Sequence, residues 1–257
     1  MNWVPLLFID DVCHQLSKPA FKQVGQLSGS WPSFGAQHRE KRRGLKFVFQ
    51  VNNHEVRYNF RENDWKSREV TVADLNLEFD RITFFSCDSA SPNDNRVSLC
   101  EFERVVLPIV APVVANCFWS YLPPQRSVLN RFFFNAFKNC PGFSEIIVQE
   151  QGEESRAFVA RQVELANVET LYLYGTGKWP EEENLAVTLK KFVSSARFYQ
   201  LYSREPLRDD YELFELFLER ALANKLKRGA YIITASTNFD KTKTDSSLCV
   251  LNVITIQ

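Results

Sequence analysis

The sequence predicts an α/β protein: a small N-terminal helical module, a β-hairpin, and then an irregular, leucine-rich-repeat-like array of strands and helices. Three observations predict it. Apolar residues near the N-terminus recur at helical spacing, the apolar period drops to two beyond residues 38–44, and from residue 82 onward strand-like runs alternate with helical stripes. The expected division is a helical module over 1–43, then a hairpin and α/β target-binding region over 44–257.

The first helix follows from VPLLFIDDVCHQL. Phe8, Ile9, Val12, Cys13 and Leu16 form one stripe, with Asp10, Asp11, His14 and Gln15 opposite. Pro5 suits the first turn, and Lys18-Pro19 ends the helix. A second stripe, Phe21, Val24, Leu27 and Trp31, is expected to break at Trp31-Pro32. HREKRRG (38–44) reads as a solvated basic joint. LKFVFQV and EVRYNF then alternate around Asn52-Asn53, which predicts a hairpin over about 45–61.

The array begins with ITFFSC (82–87) and CFWSYL (117–122), followed by FSEIIVQE, VETLYLYG, ARFYQLYS and GAYIITAS. Between the later runs lie helical stripes: Val128, Phe132, Phe133 and Phe137, then Phe158, Val159, Val163 and Ala166. Leu185, Leu189 and Phe192 make a third, and Leu213, Phe214, Phe217, Leu218 and Ala221 a fourth. The steps Ile146 to Leu171, Leu171 to Tyr199 and Tyr199 to Ile232 are 25, 28 and 33 residues, the range of one strand and one helix per unit. An ordinary α/β domain with alternating elements would read the same way. LCVLNVITI, after a polar loop, is expected to close the sheet as an antiparallel strand.

Composition narrows the function. Of 257 residues 45% are hydrophobic and 24% charged, with Lys+Arg and Asp+Glu both at 31, so no chain-wide attraction to nucleic acid or anionic membrane is expected. Phe appears 22 times and Met once, pointing to a core built from rings. The six cysteines are scattered singly and read as reduced, buried thiols of an intracellular chain. The opening lacks the basic start of a signal peptide, and Asp10-Asp11 interrupts its apolar run. The longest apolar run, Val105 to Cys117, is too short to span a membrane and carries Pro108 and Pro112.

Catalytic patterns fail on inspection, and no cofactor is expected. In YGTGKWPEEEN (174–184), Tyr172 and Trp179 occupy the places where a phosphate loop needs its first glycine and its Mg²⁺-binding hydroxyl. Gly175 and Gly177 read instead as a turn leaving a strand, and Pro180 with Glu181, Glu182 and Glu183 as a helix start. His14, His38 and His54 show no zinc-ligand spacing, so no metal site is expected. Asp209-Asp210 reads as another helix start rather than an acid/base pair.

The N-terminal pattern carries the best functional clue. Counting from Pro5, apolar positions fall at Phe8, Ile9, Val12 and Leu16, and the following stripe closes with Leu27 four before Trp31. This resembles the F-box: a Leu-Pro-like opening at Val4-Pro5, a helix ending at Leu16, and a closing apolar–Trp pair. Leu7 stands where an acidic residue is usual. With the Phe-rich strand–helix array behind it, the layout is similar to the divergent F-box-type families of nematodes. The resemblance implies that Pro5, Leu6, Phe8, Ile9, Val12, Leu16, Val24, Leu27 and Trp31 form a module that docks a Skp-type adaptor of a cullin ubiquitin ligase. It also implies that the array holds a protein target, that the chain performs no chemistry itself, and that it works in the cytoplasm or nucleus.

Two other readings stand beside it. The N-terminal helices could simply cap the array, as terminal repeats require, or the chain could be an enzyme with an unrecognised site. For the target surface, alternation in VETLYLYG sends Leu171 and Leu173 to one face and Tyr172 and Tyr174 to the other, with Gln200 and Tyr202 continuing the tyrosine face.

Overall fold

The computed structural model describes residues 4–16, 18–51, 55–63, 69–87, 94–121, 128–175, 179, 183–203, 210–235 and 251–255. The fold is mixed α/β, with helices first and strands after, in two compact units, Met1–Phe118 and Trp119–Gln257. The helices expected as a module over 1–43 belong to the first unit together with the hairpin. The Asn52-Asn53 turn, His54, and Gly177, Lys178, Pro180, Glu181 and Glu182 of the glycine-rich fragment lie outside the described residues.

In the first unit α1 (Leu6–Gln15), α2 (Phe21–Val24) and α3 (Trp31–Lys41) pack around Ile9, Cys13, Phe21 and Val24, flanked by Val4, Leu16, Trp31 and Phe34. Two sequence expectations are corrected here. Trp31-Pro32 starts a helix rather than ending one, because Pro32 falls in the first turn, where no backbone donor is lost. The break comes earlier, at 25–30, where Gly29 adopts a left-handed φ of 76°. The basic run is no solvated joint: α3 continues through it to Lys41, and His38 and Arg42 are buried. Gly35 lets α3 approach α2, since a Cβ there would sit 2.7 Å from Val24 Cγ1.

β1 (Gly44–Val51) and β2 (Glu55–Glu62) form the antiparallel hairpin, with Phe47 opposite Phe60 and Phe49 opposite Tyr58. β4 (Arg81–Cys87) joins β1 in parallel, while β3 (Glu69–Val70) and β5 (Asn95–Ser98) add to β2 antiparallel. Phe47, Phe60, Phe85 and Phe102 are fully buried; the Phe47 ring lies 4.9 Å from both Phe60 and Phe85, so rings do fill this core. The segment of α4 (Leu99–Glu101) and α5 (Leu107–Val110) passes through a π turn at Phe102–Val106 and a 3₁₀ turn at Ala111–Val113. Pro108 falls in the first turn of α5, just after the π turn, and Pro112 within the 3₁₀ turn, so neither sits in the interior of a regular helix. β6 (Val114–Tyr121) runs from the first unit into the second.

The second unit alternates α6 (Val128–Phe137), β7 (Phe143–Gln149), α7 (Glu153–Glu164), β8 (Thr170–Tyr174), α8 (Glu183–Ser194), β9 (Gln200–Ser203), α9 (Asp210–Leu222) and β10 (Tyr231–Ala235). β11 (Leu251–Thr255) closes the order β7-β8-β9-β10-β11 and is the antiparallel member. Consecutive parallel strands in sequential order require crossovers of one hand, which put the connecting helices on one face. Neighbouring helices α6 to α9 pack on one another accordingly. Ile146, Val148, Leu171, Leu173, Leu201 and Ile232 are wholly buried, and Trp119 fills the core among Phe137, Phe143 and Phe158.

Leu173→Ala should therefore cost about 2–5 kcal/mol in urea unfolding, as a buried truncation. Tyr174→Ala, on the half-buried face, should cost only about 1 kcal/mol. Gly35→Ala gives the opposite of what helix propensity suggests. The gain of about 1 kcal/mol from propensity should be outweighed by overpacking against Val24, for a net loss seen as a lowered unfolding midpoint.

Candidate functional site

α1 divides its apolar residues between two tasks. Ile9 and Cys13 are buried and Val12 and Leu16 half-buried, while Pro5 is exposed and Leu6, Leu7 and Phe8 are 55%, 80% and 54% exposed. Val24 is buried, Trp31 half-buried with its ring 6.4 Å edge-on to Phe8, and Leu27 is 49% exposed. The nine residues singled out in the sequence are thus split: Pro5, Leu6, Phe8 and Leu27 face outward, with Leu7 among them, and the others hold the helices together. Leu7 is the most exposed of the group; it stands where the resembled pattern has an acidic residue and is not among the nine.

At the other end of α1 lies a polar network that the sequence did not reveal. Its terminal carbonyls meet two guanidiniums. Arg42 donates to the carbonyls of Cys13 (2.7 Å) and Leu16, and Arg81 to that of His14 (3.3 Å). The His14 and Leu16 carbonyls at this helix end are thereby paired, and the Cys13 carbonyl, which already accepts from the Leu16 N–H at 3.2 Å, gains a second donor. His38 stacks on Phe21 and meets the edges of His14 and Phe79, and the Arg42 guanidinium lies 4.8 Å over the Phe21 ring. Beside them Arg43 forks onto the fully buried Asp80 at 2.7 and 2.6 Å, and this bond raises the Arg43 pKa.

Two histidines and a carboxylate that are far apart in sequence meet here. Single ligand atoms of Asp10, His14 and His38 lie within 4.8 Å of one another, a set that invites a metal reading. The hydrogen bonds argue otherwise. Arg42, which can only donate, approaches His38 Nδ1 at 3.3 Å, so that nitrogen carries the lone pair. The ring proton then sits on Nε2 and is donated to Asp10 Oδ1 at 2.8 Å. A metal at Nε2 would demand the other tautomer, with His38 Nδ1–H facing Arg42 N–H. The Asp10–His38 bond ties α1 to α3, while His14 Nε2 lies 3.6 Å from Asp10 Oδ2 and packs edge-on against the His38 ring. Burial, as the largest cause, holds both His14 and His38 below the ordinary imidazole range, and Arg81 and Arg42 add to it.

In the second unit Tyr172, Tyr174, Gln200 and Tyr202 are half-buried on the sheet face opposite Leu171, Leu173 and Leu201. The Tyr202 ring lies 5.8 Å from Tyr172 and 5.6 Å from Tyr174, and the Tyr172 hydroxyl donates to Gln200 Oε1 at 3.1 Å. Burial and the bond to Tyr231 push the Tyr172 phenol well above its usual range, so it stays neutral, a hydrogen-bonding group rather than a nucleophile. Of the glycine-rich fragment, the described Trp179 is buried and its indole N–H donates to the Tyr174 carbonyl at 3.1 Å, a packing role. Among the described residues no helix is long and apolar enough to cross a membrane. Comparison with known proteins returns no match: no family model fits the chain, and no curated protein or solved structure is significantly similar to it.

The two buried imidazoles make a pH prediction. Both imidazoles bind protons less readily folded than unfolded, so stability is full above the unfolded pKa of about 6.5 and falls as the pH drops below it. The urea midpoint of the chain should decrease between pH 7 and 5.5, and His14→Gln should flatten that decrease.

Proposed function

We propose that the chain is a non-catalytic adaptor whose N-terminal helices dock a Skp-type adaptor of a cullin ubiquitin ligase and whose tyrosine face holds a protein target. The observation that carries this reading is the outward set Leu6, Leu7, Phe8 and Leu27, four large apolar side chains about half or more exposed on one small helical unit. Contiguous exposed apolar surface marks interaction sites, and Leu6, Leu7 and Phe8 follow one another in the first turn of α1. A helical face that inserts such anchors into a groove is a recurrent mode of recognition. The pattern fits the F-box resemblance in kind: the same short segment supplies its own core through Ile9, Cys13, Phe21 and Val24 and keeps a second apolar set outside.

The capping alternative explains the inner set but not the outer. A terminal cap presents a polar outer surface, because its task is to end a hydrophobic stack, whereas here the first turn of α1 offers leucines to solvent. On the second unit, half-buried tyrosines suit target recognition, since their rings give contact area at small entropic cost and their hydroxyls give direction. Such a receptor would act where cullin ligases act, in the cytoplasm or nucleus, with neither nucleic acid nor membrane as partner.

The test uses side-chain changes rather than removal of residues 1–42, which would strip His38, Arg42 and their partners from the first unit. The purified chain should bind a Skp-type adaptor in a pull-down and in calorimetry. Leu6→Asp/Leu7→Asp should weaken binding by about tenfold or more while leaving the circular dichroism spectrum unchanged, because anchor residues dominate such interfaces. No binding by the unaltered chain, or undiminished binding by the doubly substituted one, overturns the docking assignment.

A further inference from the structure

A cavity of about 580 Å³ opens in the first unit where α1 ends and β1 and β4 begin. Its volume falls within the range of small-molecule sites, roughly 300–1,000 Å³. Its charges are unequal: Arg42, Arg43 and Arg81 line it against a single acid, Glu62. Arg43 is accounted for, since its fork is filled by Asp80 and it reaches Glu62 at 3.5 Å. Arg81 gives its N–H groups to the carbonyls of His14, Leu77, Glu78 and Asp80.

Arg42 is different. It is 8% exposed, and the acceptors it meets are the Cys13 and Leu16 carbonyls and His38 Nδ1, with no carboxylate among them. Its Nε–H is buried with no acceptor. Burying a guanidinium without an anion is costly, and the strain is visible: burial first, and then Arg81, push the Arg42 pKa down to about 10. A folded protein that keeps two guanidiniums close together beside an open cavity, one of them without an anionic partner, is built to receive a negative charge.

We propose that this cavity is a binding site for a phosphoryl group, carried by free phosphate or by the phosphomonoester of a small organic molecule. The chemistry beyond the charge fits a tetrahedral oxyanion. Phosphate oxygens accept from arginine N–H groups, and Arg42 keeps its Nε–H and the second hydrogen of Nη1 beyond the bonds it makes. Thr83 accepts from Asn63 Nδ2 at 2.7 Å, which leaves its own O–H to donate to a ligand in the cavity that both residues line. Gly44 makes that arrangement possible, because a Cβ there would crowd the Asn63 amide nitrogen at 3.2 Å. Leu16 and Ala115 supply an apolar wall against which the organic part of an ester would rest. The site lies wholly within the first unit and does not depend on adaptor docking, so it can be tested on the chain alone.

The experiment is thermal unfolding at pH 7.5 and constant ionic strength, titrated in separate arms with sodium phosphate, phenyl phosphate, phenol and sodium chloride. A ligand bound only by the folded chain raises Tm with concentration. Phosphate and phenyl phosphate should each raise Tm by several degrees while phenol and chloride do not. A stronger effect of phenyl phosphate would identify the ligand as an ester, and an equal effect would identify free phosphate. Arg42→Gln should abolish the shift. Because Arg42 also secures α1, Glu62→Gln provides a second variant: Glu62 is partly exposed and removing the lone acid should tighten phosphate binding several-fold. No phosphate-specific rise in the unaltered chain overturns the proposal, as does a rise that neither Arg42→Gln nor Glu62→Gln changes.

Discussion

The N-terminal half of the structure depends on where the positive charge of Arg42 is placed. A helix of ten residues such as α1 is marginal alone, since isolated helices shorter than about 12–15 residues rarely persist in water. Its last carbonyls must find donors or be buried unpaired. Arg42 and Arg81 supply those donors from the end of α3 and the start of β4, elements far away in the chain. That solution binds the helices to the sheet and brings two cations close together. Burial first, and then these cations, hold the pKa values of Arg42, His14 and His38 below their ordinary ranges, and the same cations line the cavity with excess positive charge.

The second unit solves a simpler problem. Strands in sequential order with helices on one face need strong hydrophobicity on that face only. The sequence supplies it as Ile146, Val148, Leu171, Leu173, Leu201 and Ile232, all fully buried. The opposite face is then free to carry side chains chosen for something other than packing. Its tyrosines are held by one another and by Gln200, so that face is ordered as it stands. Ordering in advance lowers the entropic cost of binding.

Where the periodicity was long and clean, the fold was legible in the sequence. The hairpin, the four helix stripes of the second unit, the closing antiparallel strand and the opposite faces of VETLYLYG follow from local patterns that the tertiary structure had no reason to override. Trp31-Pro32 was misread because proline is favoured both after a helix and within its first turn, and only the surroundings decide between them. HREKRRG looked solvated because charge usually means exposure, and no local signal says that a helix end will need Arg42 as its donor. Asp10 and His14 were legible on the polar face of the first helix, but His38 and Arg42 fall in a run that reads as a joint rather than as a helix. Their meeting was not legible, since it depends on how α1 lies against α3.

The outward leucines and the buried arginines act on the same helix from opposite ends. An exposed apolar turn at the free end of a short helix would ordinarily fray, and a frayed turn presents no defined shape to a partner. Here the far end is fixed by guanidinium–carbonyl bonds, the middle by Ile9 and Cys13 in the core, and the side by the Asp10–His38 bond. What is left unfixed is only the first turn, Leu6 to Phe8, and the edge of Trp31 steadies Phe8 within it. The polar cluster is thus what allows three exposed apolar residues to stand as a surface of definite shape.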